Sequence, residues 1–456
     1  MRLPLRAVGL SLLLSLAAPL RANPSYTLEQ AVALAEEKNP DVAIARKKVE
    51  AARGEVIEAR SGFLPSISSV GLLDKRQHER ETRLRDEDYS ASLRLQQNLY
   101  TGGQITSQLA IARLNLDKAQ CDLQETMNRV AMDTRVAYSE LLLNRAKVQV
   151  REDSVRVLEE GLKDQQDRLR AGLVGTLNVQ RAQVAVANER PELINAQTDL
   201  KMSYLRLGDL FGMQWPLDGS PAPFEVAGEL QYQARQPVLS DCLARAAAER
   251  PSIRAAQRAI EIEDRQYILD KSELRPHVGF FSGYEVYNER DPEVGPEFNY
   301  GYVFGINGTW HIFDGFATRG RMQATRARRQ AAMEALAAVR RSVASEVRGA
   351  FFDLEQAQRV LEAETTNVQT ADQSLEVAKS NLAAGLGTQL DVLQSAADVT
   401  RTRTTRLTAI HLHNVALARL ARACASTPDA LDFPAKANDE AKVSRLTQPP
   451  NTRSEQ

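Results

Sequence analysis

Five histidines and three cysteines are the residues of this chain best suited to chemistry, and neither set is spaced for it. His78, His277, His311, His411 and His413 lie apart, and His411 and His413, two residues apart on a helix, point to different faces. No Ser-His-Asp order, phosphate loop or metal-ligand spacing joins them to partners. No catalytic residue, metal ligand or cofactor site is therefore assigned. Cys121, Cys242 and Cys424 are far apart and odd in number, so no disulfide framework can be read and buried thiols are expected. What remains is conformational chemistry. Two glycine turns, Ala171-Gly172-Leu173-Val174-Gly175 and Ala384-Gly385-Leu386-Gly387, reverse the chain, because glycine tolerates the left-handed backbone just past a helix end. A carboxylate, Asp391, lies a few residues past the second turn.

The elements that must hold these turns are long and doubled. Thr27 to Pro65 aligns without gaps on Val238 to Pro276 at a shift of 211. The shift then becomes 213, so that Leu99-Tyr100-Thr101-Gly102 falls on Ile312-Phe313-Asp314-Gly315 and Gly172-Leu173 on Gly385-Leu386. Such self-similarity marks a repeated structural unit. Each half reads as helix, strand pair, very long helix, glycine turn and returning helix. Thr27-Leu28-Glu29-Gln30 fits a capping box, and Asn39-Pro40-Asp41 fits an N-cap followed by a first-turn proline.

The long helices run from about Gly103 to Arg170 and from about Phe316 to Ala383, without proline. At ~1.5 Å per residue each reaches on the order of 100 Å, too long for a compact globule. Ile105, Leu109, Ala112, Leu116, Ala119 and Leu123 recur at steps of four and three, the seam of coiled-coil packing. Pro191 is expected to interrupt the first returning helix with a kink. From Tyr89 to Tyr100, Ala91, Leu93, Leu95 and Leu99 alternate with Ser92, Arg94, Gln96 and Asn98, a strand with one oily and one wet face. Tyr300 to Phe313 repeats the pattern with Tyr302, Phe304, Ile306, Trp310 and Ile312; Val278, Phe280, Tyr284 and Val286 make a third face, and Ser66 to Leu73 a weaker fourth. The aromatic concentration suits a lipid-facing barrel. Closed barrels begin at about eight strands, so four per chain require several copies.

The balance of 58 basic and 59 acidic residues gives a net charge of −1, which offers no field for nucleic acid. Two arginines followed by a short apolar run and small residues near Ala22 read as a secretory leader. No later segment is apolar enough to cross a bilayer as a helix, so a membrane part must be β. The organisation expected is a signal peptide over 1–22, a first repeat over 23–211, an irregular linker over 212–237, a second repeat over 238–425 and a disordered polar tail over 426–456.

The doubled plan, with Asn39-Pro40, Tyr100-Thr101-Gly102-Gly103, Phe313-Asp314-Gly315, Gly172-Leu173-Val174 and Gly385-Leu386-Gly387-Thr388 followed by Leu390-Asp391-Val392-Leu393, resembles the TolC family of outer-membrane efflux proteins. The resemblance spans roughly Thr27 to Ala423. It implies a mainly α chain with a small transmembrane β part, assembled as a homotrimer whose strands close one twelve-stranded barrel above an α-helical periplasmic tunnel. An adaptor (membrane fusion protein) and an inner-membrane pump or ABC transporter would be its partners, in tripartite efflux or type I secretion, with outer-membrane lipid around the barrel. By the same resemblance Gly172, Leu173, Val174, Gly385, Leu386 and Gly387 would be adaptor-contacting tips. Asp391 would sit in a ring of carboxylates at the periplasmic constriction, a cation-binding throat. Gln394 and Asn178 stand where family members can carry further aspartates, and Leu382 and Gly387 where a tyrosine and an arginine can lock the gate. The alternative is a periplasmic structural coiled coil or adaptor, which would leave the aromatic strands and the doubling without purpose.

Overall fold

The fold is taken from a computed structural model that describes residues 24–75, 87–215, 222–288, 293 and 297–431. The leader lies outside the described residues. Each half opens with a short helix and a longer one: α1 (Leu28–Lys38) and α2 (Pro40–Ser61), then α5 (Leu239–Glu249) and α6 (Pro251–Ser272). Thr27 and Gln30 cap α1 reciprocally, and the Asn39 carboxamide accepts from the Asp41 N–H to start α2 at Pro40. Strands follow, β2 (Ser66–Lys75) with β3 (Glu87–Tyr100), and β5 (His277–Asn288) with β6 (Phe298–Thr309). The hairpins of long helices are α3 (Gln104–Arg170) with α4 (Thr176–Leu210), and α7 (Ala317–Ala383) with α8 (Gln389–Ala423). Both outgoing helices have 67 residues and both returning ones 35, so the halves match in length as well as in order.

The doubling reaches the core. Ala31, Ala35, Val42, Val130, Leu141 and Leu207 are buried in one apolar cluster, and Cys242, Ala246, Ile253, Val343, Leu354 and Leu420, their counterparts at the two shifts, are buried in another. These clusters lie where the short helices pack on their hairpins. Away from them the hairpins are thin: seam residues such as Leu158, Leu169 and Leu375 are only half-buried. Ion pairs repeat as well. Arg190 meets Glu159 at 2.8 Å and Arg403 meets Asp372 at 2.9 Å, clamping the two hairpins at equivalent heights.

The four long strands form one antiparallel sheet in the order β2-β3-β5-β6, so the halves join through β3 and β5 while β2 and β6 are left as edges. The register puts Ile67, Leu95, Leu93, Tyr284, Tyr302, Phe304 and Ile306 on one face. Arg94 and Glu285 pair at 2.8 Å on the other.

Five expectations are corrected. β6 ends at Thr309, so Trp310 and Ile312 are not strand residues; the chain turns there and the Trp310 indole donates to the Leu274 carbonyl at 3.1 Å. A bulge between Asn98 and Tyr100 sets Tyr100, not Leu99, opposite Val278, because one extra residue shifts the alternation. The 212–237 segment is not wholly irregular: β4 (Glu225–Val226) pairs in parallel with β1 (Ser25–Tyr26). The 426–456 tail starts with a 3-10 turn, Pro428–Leu431, whose Leu431 is buried in the second core cluster; residues beyond 431 lie outside those described. Pro191 does not interrupt α4, which runs through it. That proline is on an exposed face, where the carbonyl it deprives of a partner can meet water.

Candidate functional site

Both hairpins end in the same backbone device. After α3, Gly172 has φ +71° and its N–H meets the Leu169 carbonyl, while the Leu173 N–H reaches back to Arg168 at 2.8 Å. After α7, Gly385 has φ +74° and meets Leu382, while Leu386 reaches Asn381 at 2.8 Å. These paired bonds are the Schellman closure, which satisfies the orphaned carbonyls of a helix end. The residue after each glycine is thrust outward: Leu173 is 75% and Leu386 83% exposed. Val174 and Gly387 are half-buried beside them. Two large apolar side chains held in water at the ends of rigid rods are surfaces a protein partner can cover.

The returning helices start just past the tips. Asn178 and Asp391 are equivalent positions, each the third residue of its helix. Gly175 precedes α4 without a side-chain cap, whereas α8 has a full capping box. The Thr388 backbone N–H and hydroxyl both donate to Oδ2 of Asp391, at 2.8 and 2.7 Å, and the Asp391 N–H donates to the Thr388 hydroxyl at 3.3 Å. These bonds hold the Asp391 carboxyl below the ordinary carboxylate range, so it stays ionised while fully exposed. Gln394 is exposed one turn further along α8, and Asn178 is half-buried on α4.

Sequence reasoning missed what ties the two hairpins to each other. Along the contact of α3 with α8, buried Gln165 donates to buried Gln389 at 3.2 Å, Thr400 donates to Ser154 at 3.1 Å, and Ser139 and the His411 Nδ1 are 3.0 Å apart. Polar side chains therefore recur every eleven residues on α8, three turns apart, and that spacing was the available signal. His411 is thus a seam residue, and burial lowers its pKa. Arg250, the counterpart of Asn39, was missed for the same reason: its partners are remote in sequence. It is buried and donates to the carbonyls of Arg422 and Ala423 and to the carboxylates of Glu125 and Glu346.

Among the described residues no group of His, Cys, Asp and Glu could hold a metal ion, and no helix is long and apolar enough to cross a membrane. The apolar sheet face is a different matter. Tyr300, Tyr302, Phe304 and Ile306 are each at least two-thirds exposed in the single chain, alternating with Gly301, Val303 and Gly305. A row of aromatic and aliphatic side chains on one face of an open antiparallel sheet fits hydrocarbon better than water.

The family model described as outer membrane efflux protein matches residues 31–213 and 242–426. The alkaline protease secretion protein AprF of Pseudomonas aeruginosa is 28% identical over 225 residues, covering 48% of this chain and 46% of that protein. The cobalt-zinc-cadmium resistance protein CzcC of Cupriavidus metallidurans is 23% identical over 57% of this chain and 58% of its own length. The matches thus span about half the length of these curated relatives. The CmeC outer membrane channel of Campylobacter jejuni has the same fold, with a TM-score of 0.74 over 92% of this chain and 88% of that one, at 14% identity.

Proposed function

The chain belongs to the outer membrane efflux protein family, and from that membership we propose that three copies form a passive export duct, with a barrel in the outer membrane and helices crossing the periplasm. The observation that carries this reading is the open sheet: four strands with one predominantly apolar face, two unpaired edges, and 67-residue helices leading away from it. Four strands are too few to close around a lumen, and an exposed sheet edge in hydrocarbon is too costly to persist, so neighbouring copies must pair edge to edge. Twelve strands from three chains satisfy that requirement.

The duct serves an export machine of the efflux-pump or type I secretion kind, in which a periplasmic adaptor and an energised inner-membrane transporter supply selection and work. Names such as alkaline protease secretion and cobalt-zinc-cadmium resistance among the relatives support this class of role. Leu173 and Leu386, with Gly172, Val174, Gly385 and Gly387, offer the apolar tips an adaptor would cover. Asp391, with Gln394 one turn further along α8 and Asn178 at the equivalent place on α4, lines the periplasmic entrance; three ionised Asp391 carboxylates about the axis would bind cations. Residues 1–22 act as the export leader, removed near Ala22, which the mass of the mature protein checks.

The deciding experiment is reconstitution of the purified protein in planar bilayers. Discrete conductance from a species that migrates as a trimer until heated supports the proposal; a water-soluble monomer that conducts nothing refutes it. Within a working channel, Asp391→Ala is expected to weaken blockade by multivalent cations, and unchanged blockade removes the throat role alone.

A further inference from the structure

Cys242 and Cys424 are separated by most of the second half, yet the fold brings them together. Cys242 lies in the first turns of α5, and Cys424 caps the end of α8. Both are completely buried in one apolar cluster as free thiols, and each perturbs the pKa of the other. Cys121 is elsewhere, on α3 beside Arg258. We infer that Cys242 and Cys424 are the two halves of a disulfide that staples the short helix of the second repeat to the end of its returning helix.

The internal repeat supplies the control. The counterparts of this pair in the first half are Ala31 and Phe211, both buried in the first core cluster. There the junction is secured differently. β1 and β4 form a parallel ladder across it, and Phe211 packs against Tyr26 and Phe224 with ring centroids 5.9 and 5.4 Å apart. The second half has no such ladder, since residues 236–237, the counterparts of β1, are not in a strand. One small and one large apolar residue have been replaced together by two thiols in one buried cluster, at the one junction that lacks the strand and aromatic ties. A bond from Cys242 to Cys424 would do the work of both ties, and the buried Leu431 lies in the same cluster.

The step is thiol–disulfide exchange with a disulfide-bearing oxidant. One cysteine displaces a sulfur of the oxidant to give a mixed disulfide, and the other displaces the second sulfur. One S–S bond forms and one breaks; the two thiol protons end on the two thiols of the reduced oxidant. Because both sulfurs are buried, exchange takes place as the chain folds or when α5 opens. That the bond persists in the cell rests on the periplasmic placement proposed above, since disulfides survive in that compartment.

The test needs no assumption about compartment. The full-length protein, purified in detergent and reduced, is incubated with excess oxidised glutathione in sub-denaturing urea so that α5 can open. It is then unfolded in N-ethylmaleimide and mapped by mass spectrometry without reduction. The expected result is one linked peptide pair containing Cys242 and Cys424, two hydrogens lighter than the reduced pair, with Cys121 outside the link. Three unlinked cysteines, or a link that includes Cys121, overturns the inference. Cys121→Ala should leave the link intact. Cys242→Ala combined with Cys424→Phe, which installs the pair used by the first repeat, should abolish it in a protein that still folds. Conductance measured on the same preparations is a separate readout: its absence would refute the channel while the linked peptide stood.

Discussion

Arg250 and Asn39 occupy equivalent places and end the same local problem in different ways. Asn39 caps α2 and donates to the Leu210 carbonyl at the end of α4. Arg250 does not cap α6 with its side chain but reaches the end of α8 and two carboxylates, Glu125 on α3 and Glu346 on α7, which Arg422 also contacts. Arg250→Ala would leave two carboxylates sharing one guanidinium and the Ala423 carbonyl without its side-chain donor, a loss on the order of 3 kcal/mol. Arg250→Asn should be intermediate, restoring a cap without the ion pairs; thermal unfolding followed by circular dichroism ranks the three. His413 is the opposite case. It is fully buried against Tyr232, with ring centroids 4.7 Å apart, and neither ring nitrogen has a partner. Burial holds its pKa below the ordinary histidine value, and holds that of His411 down against Glu140 and with Lys147. With both folded values depressed, the unfolded chain binds more protons. Stability is therefore complete above the unfolded value of ~6.5 and drains as the pH falls from there towards the folded values. The melting temperature should drop between about pH 7 and pH 5, and His413→Leu should flatten part of that drop while adding about 1 kcal/mol at neutral pH, since an unpartnered buried polar group is removed.

At the scale of elements, the tips isolate backbone conformation from packing. A Cβ added at Gly172 or Gly385 meets nothing within 4 Å, so an alanine there costs only the left-handed backbone, about 1 kcal/mol. Gly172→Ala with Gly385→Ala is expected to speed amide exchange at Leu173 and Leu386 while leaving the melting temperature almost unmoved. These turns were legible in the sequence because each glycine sits at a constant shift from its double and at the end of a sustained periodic run. The long helices and the alternation of β3, β5 and β6 were legible for the same reason, as local periodicity needs no knowledge of neighbours. What sequence could not reveal are the features made by distant partners. The two-residue ladder of β1 and β4, the Gln165–Gln389 bond and the meeting of Cys242 with Cys424 each join segments more than 180 residues apart. The bulge at Leu99 was hidden because alternation by itself has no mark for one extra residue. Of the candidate site, the glycine turns and the start of α8 at Asp391 were readable, but not the two bonds from Thr388 to its carboxylate.

For the whole molecule, the threefold assembly proposed above would make every residue of the sheet act three times. Leu93 and Gln96 lie on the same strand and are both exposed in the single chain, but alternation sets them on opposite faces. Leu93 stands between Ser69 and Tyr284 in the apolar row, and Gln96 between Ser66 and Phe281 on the face that carries the Arg94–Glu285 pair. If the apolar row faces lipid, Leu93→Lys places an ammonium in hydrocarbon at a cost of ~2–4 kcal/mol per copy, and closure of one barrel sums three such costs into a single assembly equilibrium. Gln96→Lys puts the same charge in an aqueous lumen and should leave the trimer intact. The measurement is the fraction of heat-resistant trimer in unheated gel samples, with monomer helicity checked separately, since the hairpins pack through clusters remote from both residues. Equal loss from both substitutions would mean that the two faces see the same solvent. Loss from Leu93→Lys alone would tie the apolar row to the bilayer, and the β2 and β6 edges, which a sheet in hydrocarbon cannot leave bare, to the neighbouring copies.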